Sequence, residues 1–259
     1  MTILFAALAG LALGSFLCLA ADRYHPGLSG RRWLIRLFAP PSRCSRCRRR
    51  LKPGDLIPFY SWLRLRGRCR YCDCRIPRRL FIVETLSCAL FSLLAINAPS
   101  PHALSFALLF TALLILLSLI DWRCLLLPDA LTLPLLWLGL LYHLLFSQER
   151  LPAAVIGAIG GWLALWLLYW FFFIVARREG LGYGDLKLFA ALGAWCGWQL
   201  LPVIATVAAL SGLLLFLGGR VWKRGAGVVH QQPFGPCLSL GGWITFFALW
   251  QKENVIFPL

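Results

Sequence analysis

Residues 103–120 read ALSFALLFTALLILLSLI, and Asp121 follows directly. No charge interrupts this run. Its length approaches the ~20 residues that a helix needs to cross a ~30 Å hydrocarbon core. An ionisable group at the edge of such a helix is costly to keep there, so by default it marks a functional site. A second aspartate has a comparable setting, because Gly182-Tyr183-Gly184-Asp185 precedes the apolar stretch Leu188–Gly197. Two carboxylates remote in sequence but level with each other in a membrane suggest an acid/base pair of the aspartyl-protease kind.

The rest of the chain supports a membrane setting. Its 259 residues are 60% hydrophobic and only 14% charged, and the mean hydropathy is +0.75. Soluble domains are nearer half apolar and a quarter charged. Apolar runs occur at Thr2–Ala20, Leu80–Ile96, Ala103–Ile120, Ala130–Phe146, Ala153–Ala176, Leu186–Gly197, Leu200–Leu217 and Leu238–Trp250. Backbone groups in hydrocarbon must bond among themselves, so each run is expected to be helical. The sixth run is short and is read as a helix shielded by its neighbours. The first run lacks a basic flank and is read as a spanning helix rather than a signal peptide. The expected fold is an all-α polytopic membrane protein of about eight transmembrane helices, with a small cytoplasmic zinc-knuckle module. Residues 1–21 form the first span, 22–79 the basic Cys-rich module and 80–259 the protease domain.

Charge orients the chain. Arg31, Arg32, Arg36, Arg43, Arg46, Arg48, Arg49, Arg50 and Lys52 crowd the polar segment between Asp22 and Arg79. Basic loops stay in the cytoplasm, which puts this segment inside and the N-terminus outside. Alternation places residues 121–129, 177–185 and 218–236 inside as well, so that Arg177, Arg178, Arg220, Lys223 and Arg224 fall on the cytoplasmic side. Asp121 and Asp185 then share that side. The net charge of +16 is accounted for by orientation and by attraction to anionic lipid, with no nucleic-acid partner.

Cysteine spacing carries the next signal. Cys44-Ser45-Arg46-Cys47 and Cys69-Arg70-Tyr71-Cys72 form two tight pairs in the basic segment. Four thiolates on two knuckles suit tetrahedral zinc. A short polar segment cannot bury a core of its own, and a metal supplies folding energy. A disulfide pair is the alternative, and a reducing cytoplasm disfavours it. Cys74 is a possible substitute ligand. Cys18, Cys88, Cys124, Cys196 and Cys237 lie in or beside apolar runs and read as packing residues.

Each acidic residue also has a plainer reading. Asp129 follows Pro128 and opens a helix, where it can act as a cap. Asp185 can cap too, although the flanking Gly182 and Gly184 allow the close or unusual backbone of a catalytic turn. Asp121 stands where the helix dipole disfavours an anion, and a surface contact with Arg123 is its alternative. Lys187 either snorkels or holds charge near Asp185, Glu84 pairs with Arg78 or Arg79, and Glu179 is solvated.

Taken together, these residues resemble the bacterial type IV prepilin peptidases along nearly the whole chain. Gly14-Ser15-Phe16-Leu17 is similar to the family's first-helix motif, with Cys18 where the family usually has Asn. The two Cys pairs flank Leu56-Ile57-Pro58-Phe59-Tyr60-Ser61-Trp62-Leu63 and Gly67-Arg68-Cys69, as in the family. Ile120-Asp121 with Leu127-Pro128-Asp129, Gly182-Tyr183-Gly184-Asp185-Leu186-Lys187 and Pro233-Phe234-Gly235-Pro236 complete the pattern. The resemblance implies catalysis by Asp121 and Asp185, supported by Gly182, Gly184 and Lys187. It implies structural zinc on Cys44, Cys47, Cys69 and Cys72. The implied substrates are prepilins or pseudopilins of type II secretion, cut at the cytoplasmic boundary of the inner membrane. N-methylation of the new terminus from S-adenosylmethionine is implied to follow. Two other readings make distinct predictions. A membrane assembly factor that docks partners or lipid through its zinc knuckle needs the cysteines but not the aspartates. A transporter needs aspartates deeper in their helices and internal repeats, and the sequence shows neither.

Overall fold

The computed structural model describes residues 1–27, 30–38, 41–56, 58–177, 182–222 and 232–256. The expectations for Ile57, Arg178, Glu179, Lys223 and Arg224 fall outside these residues. Among the described residues the chain is helical and forms no strand, with two isolated β-bridges in the cysteine segment. Helices occupy all eight apolar runs: α1 (Thr2–Arg23), α4 (Arg78–Ile96), α5 (Pro101–Cys124), α6 (Asp129–Phe146), α7 (Leu151–Ala176), α8 (Tyr183–Cys196), α9 (Leu201–Trp222) and α10 (Gly235–Ile256). Two short helices, α2 (Gly30–Phe38) and α3 (Tyr60–Arg64), lie in the basic segment. Those at the first five runs and the seventh are long and apolar enough to cross a membrane. The chain is a multi-pass membrane protein.

The chain divides into two compact units, Met1–Asn97 and Ala98–Leu259. In the first, α1 and α4 pack antiparallel through small residues. A β-carbon on Gly10 would lie 2.7 Å from the Ser87 carbonyl oxygen, and one on Gly14 would lie 2.9 Å from Glu84 Cα. Without a side chain at either position the backbones can meet, as in membrane helix pairs with small residues four apart. The amphipathic α2 buries Trp33 and Leu37. It is tied to α1 by Trp33 Nε1 donating to the Ala20 carbonyl at 3.1 Å. Arg23 donates to the last carbonyls of α2, those of Arg36 and Leu37, which a helix C-terminus otherwise leaves unpaired.

In the second unit α8 is the central element. Its 14 residues span only ~21 Å, and Leu188–Cys196 is buried throughout. Gly157 of α7 meets Gly193 of α8 backbone to backbone, and Gly161 approaches the Phe189 carbonyl. Trp195 Nε1 donates to the Leu135 carbonyl at 2.8 Å, and His143 bonds the Trp195 carbonyl at 3.0 Å. By contrast, the apolar windows of α7 and α9 are only 17% buried. Their outward Leu167, Ile174 and Leu214 form the lipid-facing surface.

Candidate active site and metal centre

Asp121 lies in the last turn of α5. Leu125 takes a left-handed conformation, ends the helix and returns its N–H to the Asp121 carbonyl at 2.9 Å. The Asp121 side chain is buried, 5% exposed. Its Oδ2 accepts the N–H of Gly235, the first residue of α10, at 2.9 Å. That N–H is one of the donors a helix start leaves unpaired, at the positive end of the α10 dipole. An anion placed at the unfavourable end of its own helix is therefore held at the favourable end of another.

Asp185 lies in the first turn of α8 and is half-buried. Gly182, the residue before α8, donates its backbone N–H to the Asp185 carboxylate. This resembles the return bond of a capping box. Leu127 connects the two aspartate segments. Its Cβ lies 2.8 Å from where a Gly184 side chain would begin, and its Cδ2 lies 3.2 Å from the same point on Gly235. Gly184 and Gly235 thus let α8 and α10 close on one leucine, and the two carboxylates interact electrostatically. Both also act on Cys237 in the first turn of α10. The end of α5 and the starts of α6, α8 and α10 meet at this end of the unit.

Three side chains depart from the sequence expectations. Lys187 Nζ reaches Asp129 Oδ1 at 2.6 Å, so it links α8 to the start of α6 instead of serving Asp185. Asp129 is the first residue of α6 and not its cap, a position that Pro128 occupies. Glu84 takes the Phe59 N–H at 2.7 Å, while Arg79 pairs with Asp22. Leu127 and the N–H of Gly235 were not singled out as site residues from the sequence. Pro233-Phe234-Gly235-Pro236 was the available signal, but its contact with Asp121 is a tertiary fact.

The cysteine segment forms two matching knuckles. The Arg48 and Asp73 N–H groups bond the Cys44 and Cys69 carbonyls, each at 3.0 Å. Arg48 and Asp73 share a φ of +56°. Bridges Arg43–Arg50 and Arg68–Arg75 close the two loops. The sulfurs of Cys44, Cys47, Cys69 and Cys72 lie within 4.8 Å of one another, and those of Cys44 and Cys72 are 3.8 Å apart. Tetrahedral zinc at ~2.3 Å from each sulfur separates its ligands by about 3.8 Å, so the four thiols can hold such an ion. The Cys47 N–H, aided by that of Arg46, bonds Cys44 and holds its thiol at about 6. The Cys74 N–H likewise lowers Cys72. Cys74 Sγ is 3.5 Å from Cys44 Sγ, close enough to stand in for a ligand. Of the five cysteines expected to pack in apolar surroundings, Cys18, Cys196 and Cys237 are buried, whereas Cys88 and Cys124 are half-buried.

The fold and site define a polytopic membrane protein with one buried and one half-buried carboxylate at one end of a helical unit and a four-thiol knuckle in another. A family described as Type IV leader peptidase matches residues 108–217. A second, the Bacterial Peptidase A24 N-terminal domain, matches residues 8–98. A protein of Dichelobacter nodosus named prepilin leader peptidase/N-methyltransferase is 45% identical over 210 residues, covering 81% of this chain and 72% of that one. Proteins of the same name from Dickeya chrysanthemi and Burkholderia pseudomallei (strain 1026b) are 43% and 40% identical. They cover 91% and 95% of this chain, and 88% and 85% of their own lengths. The chain belongs to the type IV leader peptidase family, a family of proteases. No solved structure matches it.

Proposed function

We propose that this chain is a membrane-embedded aspartyl endopeptidase of the inner membrane. It removes the basic leader of type IV prepilins or type II secretion pseudopilins at the cytoplasmic boundary. It then methylates the new N-terminus from S-adenosylmethionine. The observation that carries the reading is the convergence on Leu127 of the two aspartate segments, with Asp121 bonded to the start of α10. The names of the relatives support the substrate and the second activity.

In this mechanism Asp121 and Asp185 share one proton, because two carboxyls in one site do not both ionise readily. The ionised partner takes a proton from water, whose oxygen attacks the scissile carbonyl carbon. The protonated partner gives its proton to the carbonyl oxygen. Collapse of the tetrahedral species breaks the C–N bond, and the leaving amine takes up a proton. General acid/base action of this kind contributes ~10²–10⁴-fold. Gly182 and Gly184 support it by supplying a donor to Asp185 and room for Leu127. Cys44, Cys47, Cys69 and Cys72 hold one structural zinc, which stabilises the basic module. The basic segment and the ends carrying the aspartates face the cytoplasm. The test is incubation of the purified chain with a model prepilin in lipid vesicles, with and without S-adenosylmethionine, scoring cut and methylated products separately. Absence of cutting by folded protein overturns the protease reading, and cutting without methylation overturns the second activity alone.

A further inference from the structure

Tetrahedral zinc takes four ligands, yet the cysteine module brings a fifth thiol to the same centre. This is Cys74, two residues beyond Cys72. Both backbone groups of Cys74 are tied down. The Cys69 N–H bonds its carbonyl at 2.8 Å, and its own N–H bonds the Cys72 thiol. So held, Cys74 Sγ lies 3.5 Å from Cys44 Sγ, nearer than Cys72 Sγ at 3.8 Å. Cys44 and Cys74 also share an approach from water. Both line a cavity of about 540 Å³ in the first unit, whereas Cys47 and Cys72 do not. Cys74 is half-buried, so a molecule little larger than water can reach the pair. A ligand thiol, a second thiol outside the ligand set and an access path thus coincide.

We infer that Cys44 and Cys74 form an oxidation site, in which Cys74 resolves an oxidised Cys44 and the structural zinc is thereby released. The inference goes beyond the zinc part of the proposed function but rests on it. The oxidant is hydrogen peroxide. A cysteine that ligates zinc does so as thiolate, the form that peroxide oxidises. The Cys44 sulfur attacks a peroxide oxygen, so that an S–O bond forms and the O–O bond breaks. Hydroxide leaves and takes a proton from solvent. The Cys74 sulfur then attacks the sulfenic acid of Cys44. The S–S bond forms, the S–O bond breaks, and the departing hydroxide leaves as water with the Cys74 proton. The two sulfurs have together lost two electrons, which the peroxide has gained. The sulfurs need only close from 3.5 Å to ~2.05 Å. Cys74 suits the second step better than Cys47, Cys69 or Cys72, because its sulfur is not engaged with metal. With Cys44 in a disulfide, three thiolates remain for a shell that needs four, and the module loses the metal that stabilises it. A thiol reductant reverses the step by exchange. In a compartment that keeps thiols reduced, the site therefore opens only under oxidative load.

The full-length, zinc-loaded chain in detergent is treated with hydrogen peroxide. Released zinc is followed with a chromophoric chelator, and peptides are mapped without reduction, with fragmentation to separate Cys72 from Cys74. One zinc is expected to leave per disulfide formed, and the disulfide is expected to join Cys44 to Cys74. Dithiothreitol with added zinc should restore the starting state. Cys74→Ser is expected to hold zinc as the parent does and to release it about tenfold more slowly, with the sulfenic acid of Cys44 trapped by dimedone. The peptide map of the unmodified chain is a readout that no variant's folding can disturb. Zinc retained through the treatment, a disulfide between other cysteines, or parental release from Cys74→Ser overturns this inference alone. Loss of zinc from Cys74→Ser before any peroxide also overturns it, by making Cys74 a ligand. Absence of zinc from the untreated, unmodified chain overturns the ligand set and this inference with it.

Discussion

Replacing Gly235 with alanine tests the site where the geometry is tightest. The added β-carbon would lie 2.7 Å from Asp121 Oδ2 and 3.1 Å from its Cγ. Ordinary contact begins at 3.4 Å, so the carboxylate or the start of α10 must move by about 0.7 Å, the difference between the two distances. The 2.9 Å bond from the Gly235 N–H cannot survive that shift unchanged. A hydrogen bond to a charged group is worth ~1.5–3 kcal/mol, and a displacement near 1 Å can cost ~10²-fold in rate. We therefore expect cleavage to fall ~10- to 100-fold, with the loss in kcat. Helix propensity opposes the loss, since alanine is the better former by ~0.5–1 kcal/mol. Unfolding of α10 is thus not the expected cause. Gly160→Ala in α7 is the control, because a β-carbon there meets nothing within 4 Å. That variant should cut normally and melt slightly higher. The assay is single-turnover cleavage of a model prepilin in vesicles, with thermal unfolding of each variant alongside. A folded Gly235→Ala protein that cuts within threefold of the parent would refute the reasoning.

Asp121→Asn and Asp185→Asn should each abolish cleavage while membrane insertion persists, since an amide cannot carry the shared proton; near-normal turnover by either sinks the aspartyl mechanism. Metal analysis should find about one zinc per chain. Cys44→Ser with Cys47→Ser should release it, whereas Cys72→Ser should keep a fraction through Cys74 and lose it when Cys74→Ser is added; full zinc in the first double variant contradicts the ligand set. Lys187→Asp should slow cleavage by no more than ~5-fold, because an exposed pair is worth ~0.2–1 kcal/mol. Adding Asp129→Lys should restore the rate, and absence of rescue means that Lys187 acts other than through Asp129.

The helices were legible because apolar runs in a membrane have few alternatives to helix. The cysteine knuckles were legible because ligand spacing is local. α2 escaped notice because it is short and its arginines break the apolar pattern. It is defined by Trp33 and Leu37 packing, which no run of hydropathy announces. The partners of charged groups were the least legible. Sequence proximity suggested Asp185, or no partner at all, for Lys187 and Arg78 or Arg79 for Glu84. The structure instead brings Asp129 and the Phe59 N–H from 58 and 25 residues away. A flexible charged side chain finds its partner among tertiary neighbours, and those are set by packing, which hydrophobic pattern constrains only in outline.

The same limit bears on how the carboxylates can exist where they do. A lone Asp121 at the C-terminus of α5 would face its own helix's negative end, a penalty of ~0.3–1 kcal/mol, on top of the loss of water on burial. Within the neighbouring turn the sequence offers only Arg123 as a source of relief. Relief comes from α10, whose first N–H arrives from 114 residues away. Asp185 obtains the equivalent from the start of α8, through the Gly182 N–H. Each carboxylate is thus served by a helix N-terminus, and for Asp121 the approach depends on a glycine. For Asp121, Gly235 is both the donor and the gap that admits it. On this account α10 is part of the site rather than a remote supporting helix. Substitutions that shift its first turn should impair cleavage as surely as changes beside the aspartates themselves.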